Sequence, residues 1–269
     1  MNLRSSPRVL ALGVAVLSAV LISGLLAGCG SASKRPEDQT AEEAYADART
    51  DIENGAFDAA IRNLTRVEAL GGGTLISQQA LLDKAYAQWR SGEREAALAT
   101  LERFLKFHPS SPAYDYALYL QGLVNFNDDL GLLGKISRQD LSERDQQASR
   151  DAFQSFKLLT EQFPDSRYTP DARIRMAYIV NALASHEVHV ARYYYRRGAF
   201  VAAANRAQRA VEDFQNSPAA EEALYILARS YDRLGLDELR DGADRVLKQN
   251  FPDSRFLRDG LRSEEHRSE

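Results

Sequence analysis

From about residue 41 to residue 257, apolar side chains recur at helical spacing in paired runs, each pair joined by a short turn. Strand-like alternation is nearly absent, and Pro and Gly fall between the runs rather than inside them. The pattern repeats. Gly55 and Gly92 are 37 residues apart, and so are Gly198 and Gly235. The stretch Gly55-Ala56-Phe57-Asp58-Ala59-Ala60-Ile61 matches Gly92-Glu93-Arg94-Glu95-Ala96-Ala97-Leu98. Pro109 and Pro252 each follow their glycine by 17 residues. The ends Phe163-Pro164-Asp165-Ser166-Arg167 and Phe251-Pro252-Asp253-Ser254-Arg255 correspond, with Phe214-Gln215-Asn216-Ser217-Pro218 as a looser copy. Glycine permits the tight inter-helix turn, small alanines allow close helix contact, and the late proline stops the second helix.

This pattern resembles the tetratricopeptide repeat, whose usual period is about 34 residues. The resemblance implies an all-α, right-handed solenoid of about five helix–turn–helix repeats. Their limits are predicted near 41–73, 78–109, 112–164, 170–214 and 219–254. The first three form an N-terminal group (41–164) and the last two a C-terminal group (170–257). The third repeat is interrupted by an insertion at about 128–148, either a binding excursion or a tolerated loop. In the fourth, the first helix runs unbroken over 170–197. A charged tail, 258–269, is expected to fray.

The segment before the repeats has another origin. Arg4 and Arg8 precede an apolar run at 9–26, which ends in Leu26-Ala27-Gly28-Cys29. This resembles the lipobox of a bacterial lipoprotein. Residues 1–28 then form a signal peptide. Cys29 becomes the first mature residue, carrying a diacylglycerol thioether and an N-acyl chain, and several chains anchor stably where one does not. The competing reading is a spanning helix, since about 18 apolar residues just cross a bilayer. Gly13, Gly24 and the small residues before the cysteine speak against it. Residues 29–40 are polar and read as a flexible tether.

Composition narrows the function. Cys29 is the only cysteine, so no internal disulfide supports the fold. The net charge of −4 argues against non-specific nucleic-acid binding. No catalytic constellation or cofactor motif stands out. His186-Glu187-Val188-His189 lacks zinc-protease spacing, although its two histidines share a helix face. Gly131-Leu132-Leu133-Gly134-Lys135 lacks the spacing and hydroxyl residue of a phosphate loop, and Gly71-Gly72-Gly73 reads as a flexible linker.

Binding features are stronger. In tetratricopeptide proteins the first helix of each repeat lines the concave face. The 37-residue period aligns Tyr45, Leu82 and Tyr119 in one row, Arg49, Tyr86 and Leu123 in a second, and Ile52, Trp89 and Phe126 in a third. An aromatic stripe with Arg49 and Arg90 beside it suits capture of an apolar peptide through its terminal carboxylate. The same rows also fit the seam between repeats. Further on, Arg192, Arg196, Arg197, Arg206 and Arg209 lie in a stretch without Asp or Glu, interleaved by Tyr193-Tyr194-Tyr195. That patch suits an acidic protein partner or an anionic lipid surface, and equally a solvated helix face.

Finally, Tyr194-Tyr195-Arg196-Arg197-Gly198-Ala199-Phe200-Val201-Ala202-Ala203-Ala204-Asn205-Arg206, with the lipobox, the interrupted third repeat and the long fourth helix, resembles the BamD family of the β-barrel assembly machinery. The resemblance covers essentially the whole chain after Cys29. It implies a non-enzymatic scaffold on the periplasmic face of the outer membrane, without cofactor, among other assembly-machinery lipoproteins. C-terminal repeats would contact the BamA POTRA domain nearest the barrel, through Arg192, Arg196, Arg197, Asn205 and Arg206. N-terminal repeats would recognise the C-terminal strand of unfolded outer-membrane proteins, through Tyr45, Arg49, Tyr86, Trp89, Arg90, Tyr119 and Phe126. One departure is Leu70-Gly71-Gly72-Gly73, where the family has an aromatic-Pro-aromatic turn. Pilotins and cell-division adaptors, other tetratricopeptide envelope lipoproteins, are the alternative.

Overall fold

The computed structural model describes residues 39–126 and 143–261. Cys29, the signal segment, nearly all of the tether, most of the insertion and the last eight residues lie outside the described residues. Among those described, the chain folds as five helical hairpins and a short cap, without strands. The hairpins are α1 (Ala41–Glu53) with α2 (Phe57–Gly71), α3 (Leu75–Arg90) with α4 (Arg94–Phe107), and α5 (Tyr114–Asn125) with α6 (Glu143–Gln162). They continue with α7 (Thr169–Arg196) and α8 (Phe200–Asp213), then α9 (Ala220–Leu234) and α10 (Asp237–Asn250), and end in α11 (Arg255–Asp259).

Local chemistry explains the limits. Thr40 caps α1 in a reciprocal capping box with Glu43, satisfying two backbone donors. Pro170 sits in the first turn of α7, where its missing N–H costs nothing. Gly92 turns α3 into α4 at a φ of 89°, a left-handed conformation that other residues adopt only with strain. Within hairpins the contact residues are small: Ala44, Ala48 and Ala60 in the first, and Ala191, Ala203 and Ala207 in the fourth, are fully buried.

Each helix packs on its neighbours in sequence. In addition α1 touches α3, α3 touches α5, and α7 touches α9. The first helices of the first three repeats therefore form one inner row and those of the last two another, joined by the Tyr119 side chain of α5 reaching Asp171 of α7. The long helix α7 belongs to two cores. Its Ala172, Ile179 and Leu183 pack with Phe156 and Leu159 of α6. Its Val188 and Ala191 pack with Ala203 and Ala207 of α8 and Ala223 and Ile226 of α9.

Three local expectations differ from the structure. Gly71-Gly72-Gly73 is a tight turn rather than a loose linker: α2 runs through Gly71, Gly72 is left-handed, and Thr74 N–H donates to the Gly71 carbonyl at 3.0 Å. Gly71 is buried, and a side chain there would meet Ser77, 2.8 Å away. The second helix of the third repeat starts at Glu143, before the predicted end of the insertion, since 143–148 contains helix formers and no Pro or Gly. The C-terminal tail begins later than predicted, because α11 buries Phe256 against Tyr225 and Leu261 packs on the last core.

Candidate functional site

The first inner row opens into a cleft of about 490 Å³ lined by Arg49 of α1, Gln79 and Asp83 of α3, Asp115 and Tyr116 of α5, and Arg167 and Tyr168 at the entry to α7. Three repeats and the connection into the fourth thus contribute to one concavity. Its carboxylates are already engaged. Asp83 is buried and accepts from the Tyr45 hydroxyl at 2.7 Å and from Gln79 at 3.1 Å. Asp115 accepts from Ser166 and from the Tyr116 N–H, each at 2.7 Å. Arg49 and Arg167 are exposed. Arg167 lies over the Tyr168 ring, 4.7 Å from its centre, and bonds the Tyr168 hydroxyl. The cleft therefore offers cations and aromatic faces to a ligand, while its acids hold the walls.

Electrostatics agree with this division. Burial first, then the hydrogen bond to Asp83, pushes the Tyr45 phenol up to about 12. Burial and then the Asp83 charge push Tyr116 up to about 12. Both remain neutral hydrogen-bonding groups at physiological pH.

The structure divides the aromatic residues singled out from the sequence into three knots. Tyr45 and Arg49 are at the cleft. Tyr119 joins it indirectly, stacked on Tyr168 at 4.8 Å and donating to Asp171 at 2.7 Å. Tyr86, Trp89 and Arg90 form a second knot. The Tyr86 and Trp89 rings meet edge-on at 6.2 Å, Arg90 donates to the Tyr86 hydroxyl at 2.7 Å, and Arg90 covers Phe57 at 5.2 Å. Trp89 is half-buried against the core of the second repeat. Phe126 belongs to a third, packed on Phe156 and Tyr178 with Arg175 above it at 4.9 Å. Arg175 in turn grips Asp171 at 2.6 Å. Burial alone would raise the Asp171 carboxyl, but hydrogen bonds from Arg175 and Tyr119 outweigh it and hold the group below its ordinary value.

The arginine stretch separates into inward and outward members. Arg192 makes a two-pronged contact with Glu222 of α9, at 2.5 and 2.6 Å. Arg206 reaches Glu187 of α7 at 3.1 Å. Carboxylates from outside the acid-free stretch thus neutralise these two. Arg196, Arg197, Asn205 and Arg209 are exposed. Arg197 is the C-cap of α7 and lies 5.5 Å from the centre of the exposed Tyr193 ring. With Val201, also exposed, Arg196, Arg197 and Asn205 form an outward surface at the α7–α8 turn, while Arg209 lies further along α8.

Sequence inspection did not single out Asp83, Tyr116, Arg167, Tyr168, Asp171 or Arg175 at this site. Tyr116 was within reach, because it precedes Tyr119 by three residues and so shares its helix face. Asp83, Tyr168 and Asp171 are joined to the site by contacts across 38 to 52 residues, as with Tyr45–Asp83 and Tyr119–Asp171, and Arg167 and Arg175 attach to it through Tyr168 and Asp171.

Residues 37–247 match the family profile described as YfiO, outer membrane lipoprotein. The chain is 43% identical over 221 residues to outer membrane protein assembly factor BamD of Neisseria meningitidis serogroup A, covering 82% of this chain and 83% of that protein. It is 36% identical to the protein of the same name from Xylella fastidiosa strain Temecula1, covering 91% and 84%. For the Vibrio cholerae protein of that name the identity is 31%, covering 87% and 97%. Carried over most of its length by relatives that share one description, the chain belongs to the YfiO/BamD family of outer membrane lipoproteins.

Proposed function

We propose that the protein is a non-catalytic scaffold, anchored through acylated Cys29 to the periplasmic face of the outer membrane. It holds unfolded β-barrel proteins in its N-terminal cleft and docks on the BamA periplasmic region through its C-terminal repeats. The observation that carries this reading is the cleft itself. Three repeats and the connection into the fourth converge on it, its carboxylates are internally satisfied, and exposed Arg49 and Arg167 flank aromatic walls. Such a surface complements an extended peptide that ends in an aromatic residue and a carboxylate. The outward Tyr193, Arg196, Arg197 and Asn205 surface supplies a separate contact for a partner acid.

A synthetic peptide from the C-terminal strand of an outer-membrane barrel tests this, prepared both as the free acid and as the amide. The free acid is expected to bind at least about tenfold more tightly, the scale of a charged hydrogen bond. An Arg49→Gln, Arg167→Gln double variant should abolish the difference. Equal affinity of acid and amide for the native chain would overturn the reading.

A further inference from the structure

The junctions that join the first three repeats carry exposed apolar side chains which no intrachain contact requires. Leu70 at the end of α2 is 52% exposed, Leu75 at the start of α3 is 72% exposed, and Phe107 at the end of α4 is 64% exposed. Helices in hairpins alternate in direction, so the ends of α2 and α4 and the start of α3 lie at one end of the repeats. Lys106 stands 5.5 Å from the centre of the Phe107 ring. In a chain of net charge −4, the two loops of this edge hold no carboxylate: residues 69–77 and 105–112 contain neither Asp nor Glu, and the acids at this end include Glu42 and Glu43 in the first turn of α1. The corresponding junctions of later repeats carry Asp165 and Asp253.

The chain enters the fold at this same end. Arg66, one turn before Leu70, donates to the Gln39 side chain at 2.9 Å. Ten chain steps separate Gln39 from Cys29. Fully extended, such a segment reaches about 35 Å. Helices of this size are roughly 22 Å long. If Cys29 sits in a bilayer, this end meets the lipid without stretching the segment, whereas the opposite end would require it to run the length of a repeat.

We propose that the Leu70, Leu75 and Phe107 edge, with Lys106, is a membrane-docking surface that rests on an anionic phospholipid bilayer. Apolar tips enter the headgroup layer and Lys106 pairs with lipid phosphate. The inference rests on the lipid-anchor reading above. It orients the first repeats with their helix axes directed away from the bilayer, so that the cleft opens sideways over the membrane surface.

Once Cys29 is a thioether, an engineered cysteine is the only free thiol in the mature chain. Leu75→Cys, Phe107→Cys and a control, Leu236→Cys, are labelled with a polarity-sensitive dye in the full lipidated protein. Leu236 is exposed in the α9–α10 turn at the opposite end of its repeat. Each protein is reconstituted into phosphatidylethanolamine–phosphatidylglycerol vesicles carrying a nitroxide-labelled lipid. Dyes at 75 and 107 should shift to the blue and be quenched several-fold more than the dye at 236. Flotation with the vesicles, but with all three dyes equally wet, overturns the docking surface and leaves the anchor standing. Failure to float overturns the anchor, and the docking surface with it. A blue shift at 75 or 107 already present without vesicles marks self-association and overturns the lipid as occupant.

Discussion

Tyr45 of α1 donates its hydroxyl proton to Asp83 of α3 at 2.7 Å, tying the first repeat to the second at the floor of the cleft. Removing the hydroxyl leaves a buried carboxylate short of a donor. Tyr45→Phe is therefore expected to lower stability by about 1–2 kcal/mol in urea denaturation.

The same contact sets an alkaline limit. Tyr45 and Tyr116 titrate near 12 when folded, against about 10 when unfolded. A phenol whose folded value is raised contributes stability that is complete below pH 10 and lost as pH climbs towards 12. Ultraviolet titration of phenolate should show Tyr45 and Tyr116 in a late-ionising group with Tyr119, Tyr225 and Tyr231, which burial also pushes up, and the melting temperature should fall over the same interval. In Tyr45→Phe one late-ionising phenol should be lost.

Two glycines in helix interiors should respond oppositely to alanine. A side chain at Gly122 would stand 2.3 Å from the Phe156 ring, where α5 and α6 touch. Gly122→Ala is expected to cost about 1–3 kcal/mol by overpacking, despite the better helix propensity of alanine. Gly242 in α10 has open space at that position, so Gly242→Ala should stabilise the protein by about 0.5–1 kcal/mol. Chemical denaturation of both variants measures the contrast.

Arg192 and Arg197, five residues apart, should separate folding from docking. Arg192→Ala strands Glu222, whose side chain is only 10% exposed, and is expected to cost about 2–3 kcal/mol of stability. Arg197→Glu faces solvent at the C-cap of α7 and should lower stability by no more than about 1 kcal/mol, while weakening binding to the BamA periplasmic region by about 2–5 kcal/mol. Calorimetric melting and binding of both variants to that region provide the two readouts.

Trp89 packs half-buried against the second repeat and does not line the cleft. Trp89→Ala should destabilise by about 2–3 kcal/mol, below the cost of a fully buried aromatic. Trp89→Phe should restore most of that and bind peptide normally. A peptide-specific loss in a stable Trp89→Phe protein would instead place Trp89 in direct ligand contact.

The repeat spacing made the helices readable, because a glycine turn, small contact residues and a terminal proline recur locally. The long helix was visible in the absence of any breaker between Pro170 and Arg197, and it runs Thr169–Arg196. The cleft was only half legible. Tyr45 and Arg49 follow from period and helix face. Asp83 and Tyr168 acquire their roles from contacts between repeats, which no short window contains. Acid-free spacing likewise marked the arginine stretch, but Glu222 lies 30 residues from Arg192 and decides that this arginine points inward.

Solenoids ordinarily unfold piecemeal, since each unit contacts only its neighbours. Helix α7, about 42 Å long, withdraws that freedom at the middle of this chain. Its first half completes the core of the third hairpin and its second half that of the fourth and fifth. Melting either half strips a wall from the other. The cleft-bearing and arginine-bearing portions are thus expected to lose structure in one cooperative transition, so that a folding lesion in one silences both.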